Sequence, residues 1–320
     1  MRFERVIVTG GSGLLGRFVV DQLTDICAAS VLDIKAQSQD VPSQDVPYIE
    51  TDILDLGGVR AALAGQDAMI HLAGIDDGNA EADKDYFETN VQGAWNVLHA
   101  AEDAGLGKVV IASSSAAYGI GRDRMPDYLP VDEAHPLHTA GTYGHSKEAI
   151  ETVARHFVRR GRLDIVCLRP TLIVRPEREA AILAQLDLAD PDGDPPDGAL
   201  GAGGAAPYGA LSATRTYVRS KDAARCFRMA LDHDGAGFDV FNVSAVDSIG
   251  REETLKRLEA VYGRLPEVRD RALYASDPYA SILDISRTRG ELGWAPEGDW
   301  NSVVAEHRAP RLPGRADSLP

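Results

Sequence analysis

The stretch RVIVTGGSGLLGRFVVDQL, residues 5–23, joins two periodicities through a glycine-rich turn. Val6, Ile7 and Val8 form a short unbroken apolar run, the mark of a strand covered on both faces. Beyond the turn, Leu14, Leu15, Phe18, Val19 and Leu23 recur at helical spacing. Between them, Gly10 permits a tight turn, Gly13 lets backbone amides approach an anion, and Gly16 allows helix and strand to pack closely. A plain strand–helix turn would carry the same glycines, so the next strand matters. It closes on Asp33, where a carboxylate can accept from a ribose and would repel a 2′-phosphate. Turn, helix N-terminus and acid together indicate a dinucleotide site, with NAD preferred over NADP.

Outward from this unit, strand and helix alternate. ASVLDI, YIETDI, DAMIHLAG, KVVIASSS and DIVCLRP read as strands two to six. Helical stretches fall near Val59–Leu63, over roughly Tyr86–Ala104, and from about Thr142 to Arg160. That rhythm predicts a Rossmann-like, doubly wound parallel sheet of the α/β class. After Arg169 the rhythm changes. DVFNVS (239–244) reads as a late strand returning to the sheet, and helices near Thr254–Tyr262 and Thr288–Leu292 complete a smaller C-terminal lobe. The expected division is a cofactor-binding domain of residues 1–169 plus 236–246, and a substrate-binding lobe of 170–235 and 247–320. Residues 187–209, rich in Asp, Pro and Gly, read either as a solvated loop or as a lid over substrate.

The 320 residues carry 33 Lys and Arg against 49 Asp and Glu, a net charge of −16. Such a field repels nucleic acid and anionic membrane, which leaves a small-molecule partner. Apolar runs such as Ile165–Leu168 are strand-length, far short of the ~20 residues of a membrane span. Met1–Arg5 is polar and does not have the form of a signal peptide. Cys27, Cys167 and Cys226 stand singly, which argues for reduced thiols in a cytoplasmic protein and against a metal site.

Tyr143 and Lys147, in TYGHSK, share one helix face at i,i+4, a spacing equally usual in an ordinary solvated helix. Their company decides between the two. TGGSGLLG, HLAG, NVQGAWNVL, SSSAAYG, YGHSK and LRPT occur in the order found in the extended short-chain dehydrogenase/reductases, the NAD-dependent epimerase/dehydratase family, which this chain resembles. RTYVRSKDAARCFRMAL, FNVSA and DISRTRGELGW extend the likeness over nearly the whole chain.

The resemblance implies a catalytic trio of Ser114, Tyr143 and Lys147, with Tyr143 as proton acceptor and Lys147 lowering its pKa below ~10. It implies cofactor contacts from Gly10, Gly13, Leu14, Leu15 and Gly16 at the pyrophosphate, Asp33 and Ile34 at the ribose, and Asp52 and Ile53 at the adenine. Leu72, Ala73, Gly74, Ser113, Pro170, Tyr143 and Lys147 would line the nicotinamide end. Asn90 would stand near the site or bond its own helix backbone, while His71 reads as a core residue. Ser115, Arg175 and Arg215 are the expected substrate contacts, Ser115 also being the alternate register for Ser114. Arg269 or Arg271 could assist Arg215, and Arg178 could assist Arg175; ordinary surface charge is the alternative reading of Arg175 and Arg178. A homodimer is implied too, through a seam of Val91, Trp95, Leu98, Ile150, Val153 and Phe157.

The chain also departs from the family. Ser115 and Ala116 stand where dehydratases carry Asp-Glu, which argues against dehydration. Leu172 replaces an asparagine usual in members acting on nucleotide sugars. Three readings follow: an NAD-dependent dehydrogenase of a sugar, sugar acid or similar small molecule; a nucleotide-sugar epimerase that recycles its NAD; and a non-catalytic dinucleotide sensor.

Overall fold

The computed structural model describes residues 2–34, 46–121, 123–139, 141–188, 214–235, 237–250 and 252–308. Its strands are β1 (Arg5–Thr9), β2 (Ala28–Asp33), β3 (Tyr48–Glu50), β4 (Ala68–His71), β5 (Lys108–Ala112), β6 (Tyr128–Leu129), β7 (Ile165–Pro170), β8 (Leu172–Val174), β9 (Tyr217–Arg219), β10 (Phe238–Val243) and β11 (Glu267–Val268). Seven of them form one sheet in the order β10-β7-β5-β4-β1-β2-β3, every pair parallel. The chain winds outward from β1 to β3, then returns to β4 on the other side of β1 and winds away to β10. The winding reverses between β1 and β4, and such a switch opens a crevice at the C-terminal strand ends.

The sheet is covered on both faces, which is why its strands read as unbroken apolar runs. Val6 and Val8 point into a core with Val19, Leu23, Phe227 and Trp294. Ile7, between them, points into the opposite core with Leu32, Leu98, Ile111 and Phe157. Burying each such side chain contributes roughly 1.5–3 kcal/mol. The rest of the chain builds two smaller clusters. One surrounds β6 and β11 and includes Tyr118, Leu129 and Tyr274; the other surrounds β8 and β9 and includes Val174, Tyr217 and Trp300.

Several sequence expectations are refined. Tyr86–Gln92 is π-helical and only then continues as the α-helix Gly93–Ala104, so the predicted single helix changes pitch after Gln92. Helices Pro176–Leu188 and Trp300–Arg308 were not evident in the sequence. The first opens on a proline, whose missing N–H costs nothing in a first turn. Residues 189–209 of the proposed lid lie outside the described residues. Of the expected dimer seam, Leu98, Ile150 and Phe157 are buried within this chain's own core, beneath the sheet-facing side of their helices. Among the described residues, no helix is long and apolar enough to cross a membrane.

Candidate active site

The glycine turn lies at the end of β1, against the end of β4. Gly10 has φ +72°, and a Cβ there would come within 2.6 Å of the Ala73 backbone nitrogen. A Cβ on Gly16 would overlap the Gly10 carbonyl and lie 2.7 Å from Gly11. The turn therefore keeps its shape only with glycines, and helix Gly16–Asp21 starts directly from it. Asp33 accepts from the Ser12 backbone N–H at 3.0 Å, which ties the acid at the end of β2 to the turn. Ser12 Oγ is shielded from solvent and finds no protein partner. Leu14 and Ile34 are exposed apolar side chains near these strand ends. A tight amide-lined turn, an unsatisfied hydroxyl, a fixed acid and exposed apolar side chains fit a dinucleotide.

Other expected contacts do structural work. Leu72 N–H donates to the Thr9 carbonyl at 3.0 Å, and Ala73 N–H reaches Thr9 Oγ1 at 3.4 Å. Ile53 is buried against Gly93, its carbonyl accepting from Asn96 at 3.1 Å, while Asp52 Oδ1 accepts from Leu54 N–H at 2.9 Å. Pro170 ends β7 opposite Val243. His71 is buried and bonded to Thr9 Oγ1 at 2.7 Å; burial, with the Lys147 charge second, pushes its pKa down to about 3. It stays neutral, as a core residue should.

The chemical centre forms beyond β4 and β5, under helix Thr142–Arg159. Tyr143 and Lys147 share a face of that helix, with the lysine Nζ 5.5 Å from the tyrosine ring centroid. Lys147 Nζ donates to the Ala112 carbonyl at 3.1 Å, at the end of β5. Ser114 and Asp76 both weigh on the Tyr143 phenol, Ser114 favouring its ionised form and Asp76 its neutral form. Ser114 starts a short 3₁₀ turn, Ser115–Tyr118, in which its Oγ also accepts from Ala116 N–H at 3.1 Å. Of the three serines, Ser114 faces the phenol. Ser113 turns away and donates to Glu151 Oε1 at 2.7 Å, inside a buried ion pair of Glu151 with Arg169 (2.7 and 2.8 Å). The Ser113 side chain is thereby engaged inside the core.

The electrostatics differ from the expectation for Tyr143. Burial, then the Asp76 carboxylate, hold the Tyr143 phenol well above its ordinary value of 10.0. Burial pulls Lys147 down to about 8, against the attraction of Asp76. The lysine does not bring the tyrosine below ~10, because both groups are driven toward their neutral forms.

Asn90 stands beside the Tyr143 helix rather than bonding its own helix backbone. Its Oδ1 accepts from Ile75 N–H at 2.7 Å, and its Nδ2 donates to the Ile75 carbonyl at 3.0 Å and to Ser146 Oγ at 3.1 Å. It pins the loop after β4 to the Tyr143 helix. The π-helical pitch around it places the amide there, and such segments often mark functional sites. That loop carries Asp76, which sequence reasoning missed. The available signal was the acid pair of GIDDG (74–78), immediately past a strand end.

The arginines stand further out. Arg215 is buried, with the only positive φ (49°) of a non-glycine among the described residues, and lies 3.9 Å from Glu252. Arg175 is half-buried at the start of helix Pro176–Leu188. Its neighbour Glu177 pairs with Arg17 of the glycine-turn helix. Arg269 lies over the Tyr128 ring at 3.3 Å and pairs with Glu267, beside β6 and β11 rather than at Tyr143.

Fold and glycine turn together define a dinucleotide-dependent enzyme. The model of the NAD dependent epimerase/dehydratase family matches residues 6–244, so the chain belongs to that family and NAD is its cofactor. A UDP-glucose 4-epimerase of Azospirillum brasilense is 27% identical over 92% of this chain and 88% of its own. Among solved structures, UDP-glucose 4-epimerase from Brucella ovis in complex with NAD superposes with TM-score 0.68 at 23% identity, covering 95% of this chain and 98% of that one. MoeE5 in complex with UDP-glucuronic acid and NAD gives 0.67 at 20% identity, covering 94% and 96%.

Proposed function

We propose that this protein removes a hydride from a hydroxyl-bearing carbon of a sugar, sugar acid or similar small molecule, with NAD as acceptor. The observation that carries this reading is the convergence of Ser114 and Tyr143 with Lys147 beneath them. Ser114 orients the substrate oxygen, Tyr143 exchanges its proton, and Lys147 sets the local charge. The glycine turn and Asp33 hold the pyrophosphate and ribose, and when bound NAD supplies the hydride acceptor. In domain terms, residues 1–169 with 236–246 serve the cofactor, and the remainder, with Arg215 and Arg175, serves the substrate.

A second reading, epimerisation of a nucleotide sugar with the hydride returned, is favoured by the A. brasilense relative and by buried Arg215, a cation suited to a diphosphate. One experiment separates the two. The purified protein is given NAD with UDP-glucose, UDP-galactose and free sugar acids, while NADH absorbance and the sugar products are followed. Accumulating NADH supports the dehydrogenase; a new epimer without NADH supports the epimerase. In either case Tyr143→Phe should lose ~10²–10⁴ in turnover and keep its NAD affinity, since only the proton-transfer oxygen is removed. Full activity in that variant would refute the role of Tyr143.

The assembly we infer is a homodimer through the two helices that carry Trp95 and His156. Trp95 and Phe87 remain 37% and 43% exposed, and Trp95 stacks on His156 at 5.5 Å. Val91 and Val153 are half-buried beside them. The three free thiols suit a reducing, cytoplasmic setting.

A further inference from the structure

Tyr143 stands in the first turn of its helix, where the helix itself holds a side chain least. Gly141 occupies the N-cap and offers no side chain to the free amides there. The aim of the phenol is therefore set by neighbouring segments. Its backbone is held by Ser146, whose Oγ donates to the Tyr143 carbonyl at 2.7 Å and accepts from Asn90 Nδ2 at 3.1 Å. Its ring is held by Tyr86, a buried tyrosine at the start of the π-helical segment. The two rings meet edge-on, with centroids 5.7 Å apart and planes at 62°. Lys147 Nζ lies 5.5 Å from the Tyr143 centroid, but on a flexible four-carbon stem that leaves the tilt of the ring free.

Tyr86 has a second hold. Its Oη accepts from Gly78 N–H at 2.8 Å and reaches the Asp76 carbonyl at 3.5 Å. Four residues further along the segment, Asn90 grips Ile75 by both backbone groups, at 2.7 and 3.0 Å. Each of these two side chains thus has one contact on the loop after β4 and one on the Tyr143 helix. Edge-on contact is a preferred geometry for two aromatic rings, because the positive edge of one meets the negative face of the other. The Tyr86 ring is itself fixed at its far end by the hydroxyl, so it meets the phenol as a rigid wall.

We propose that Tyr86 is a positioning residue for the proton transfer: its ring sets the tilt of the Tyr143 phenol, and its hydroxyl ties that ring to the loop after β4. This rests on the reading of Tyr143 given above, and Tyr86 acts on the reaction only through Tyr143. Ring and hydroxyl can be removed separately. Tyr86→Phe keeps the edge-on contact and frees the amide of Gly78, an exposed residue whose N–H water can serve. Tyr86→Leu removes the ring as well.

The test uses NAD-loaded protein whose tyrosines carry ¹³C at Cζ, a carbon on the flip axis of the ring. The Tyr143 resonance is identified by its loss in Tyr143→Phe. It should be single and sharp in the wild type and in Tyr86→Phe, and broadened or split in Tyr86→Leu as the ring samples several tilts. A single sharp resonance in Tyr86→Leu, shifted or not, overturns the proposal. Turnover is then read on whichever of UDP-glucose, UDP-galactose or glucuronate the wild type consumes. Tyr86→Leu should lose about 10–10² in kcat with its NAD affinity unchanged, the scale expected when a reacting group is misplaced. Tyr86→Phe should stay within about fivefold of wild type. In a Tyr143→Phe background, Tyr86→Leu should cost nothing further, because the group it aims is gone. Equal losses in the Phe and Leu variants, or a loss of NAD affinity matching the loss of turnover, would mark Tyr86 as merely structural and sink the role. Full activity in Tyr143→Phe would instead defeat the functional reading, and with it the role of Tyr86, whatever the resonance shows. If no probe is consumed, the resonance alone decides.

Discussion

Tyr143 and Lys147 illustrate how burial can outweigh a favourable neighbour. Each is an ionisable group whose charged form has left water, and the Asp76 charge adds to this for the phenol. For Lys147 the consequence for stability has a definite sign. In the unfolded chain a lysine keeps its proton to 10.5, but here only to about 8. Between those values the unfolded state binds more protons, so the contribution to stability rises with pH across the window, and below it the full penalty stands. The penalty is on the order of 3 kcal/mol, partly offset by the bond to Ala112. Lys147→Met should therefore make the cofactor-free protein more stable than wild type at pH 7. The gap should close by about pH 10, as read by urea unfolding at the two values, while activity is lost throughout. A variant less stable than wild type at pH 7 would contradict the depressed pKa.

At the scale of elements, helix Thr142–Arg159 must hold its register against the sheet, or the site does not form. One turn after Lys147, Glu151 is fully buried and forms two hydrogen bonds to Arg169 of β7, with Ser113 donating to the same carboxylate. Arg169 also stacks on Tyr118, 4.7 Å from its ring centroid. This pair bolts the Tyr143 helix to β5 and β7. Removing one partner leaves a buried charge uncompensated, so Glu151→Gln should cost about 3–5 kcal/mol in denaturant unfolding. Glu151→Leu combined with Arg169→Met should recover much of that, since neither desolvated charge then remains. If the double variant is as damaged as the single one, the pair's role is packing and not charge.

For the whole molecule, the open question of assembly lies on the outer face of the same helix layer. Leu98, Ile150 and Phe157 face inward, so Trp95, Phe87, Val91 and Val153 are the apolar positions left for a partner. Trp95→Glu would place a charge in the proposed seam. Sedimentation at micromolar concentration should show a dimer for the wild type and a monomer for the variant. A monomeric wild type would reject the seam. The sheet gives this layer its rigidity, because both its faces are packed and its strand order fixes where β4, β5 and β7 end relative to one another.

The local features of this protein were legible in its sequence because they depend on near neighbours. The unbroken run at Val6–Val8, the three glycines, Asp33 at a strand end and the i,i+4 spacing of Tyr143 and Lys147 each follow from strand or helix periodicity. Family likeness supplied the trio but not its register or its electrostatics. Ser113 and Ser114 are adjacent at a strand end, where side chains alternate in direction, so a shift of one residue exchanges a core contact with Glu151 for the phenol of Tyr143. Asn90 bonding to Ile75 and Ser146 depends on three segments meeting that lie far apart along the chain. Sequence periodicity carries no information about such a meeting. It is set by the strand order and by the pitch of the helix around Asn90, so only the tertiary structure could tie the loop after β4 to the Tyr143 helix.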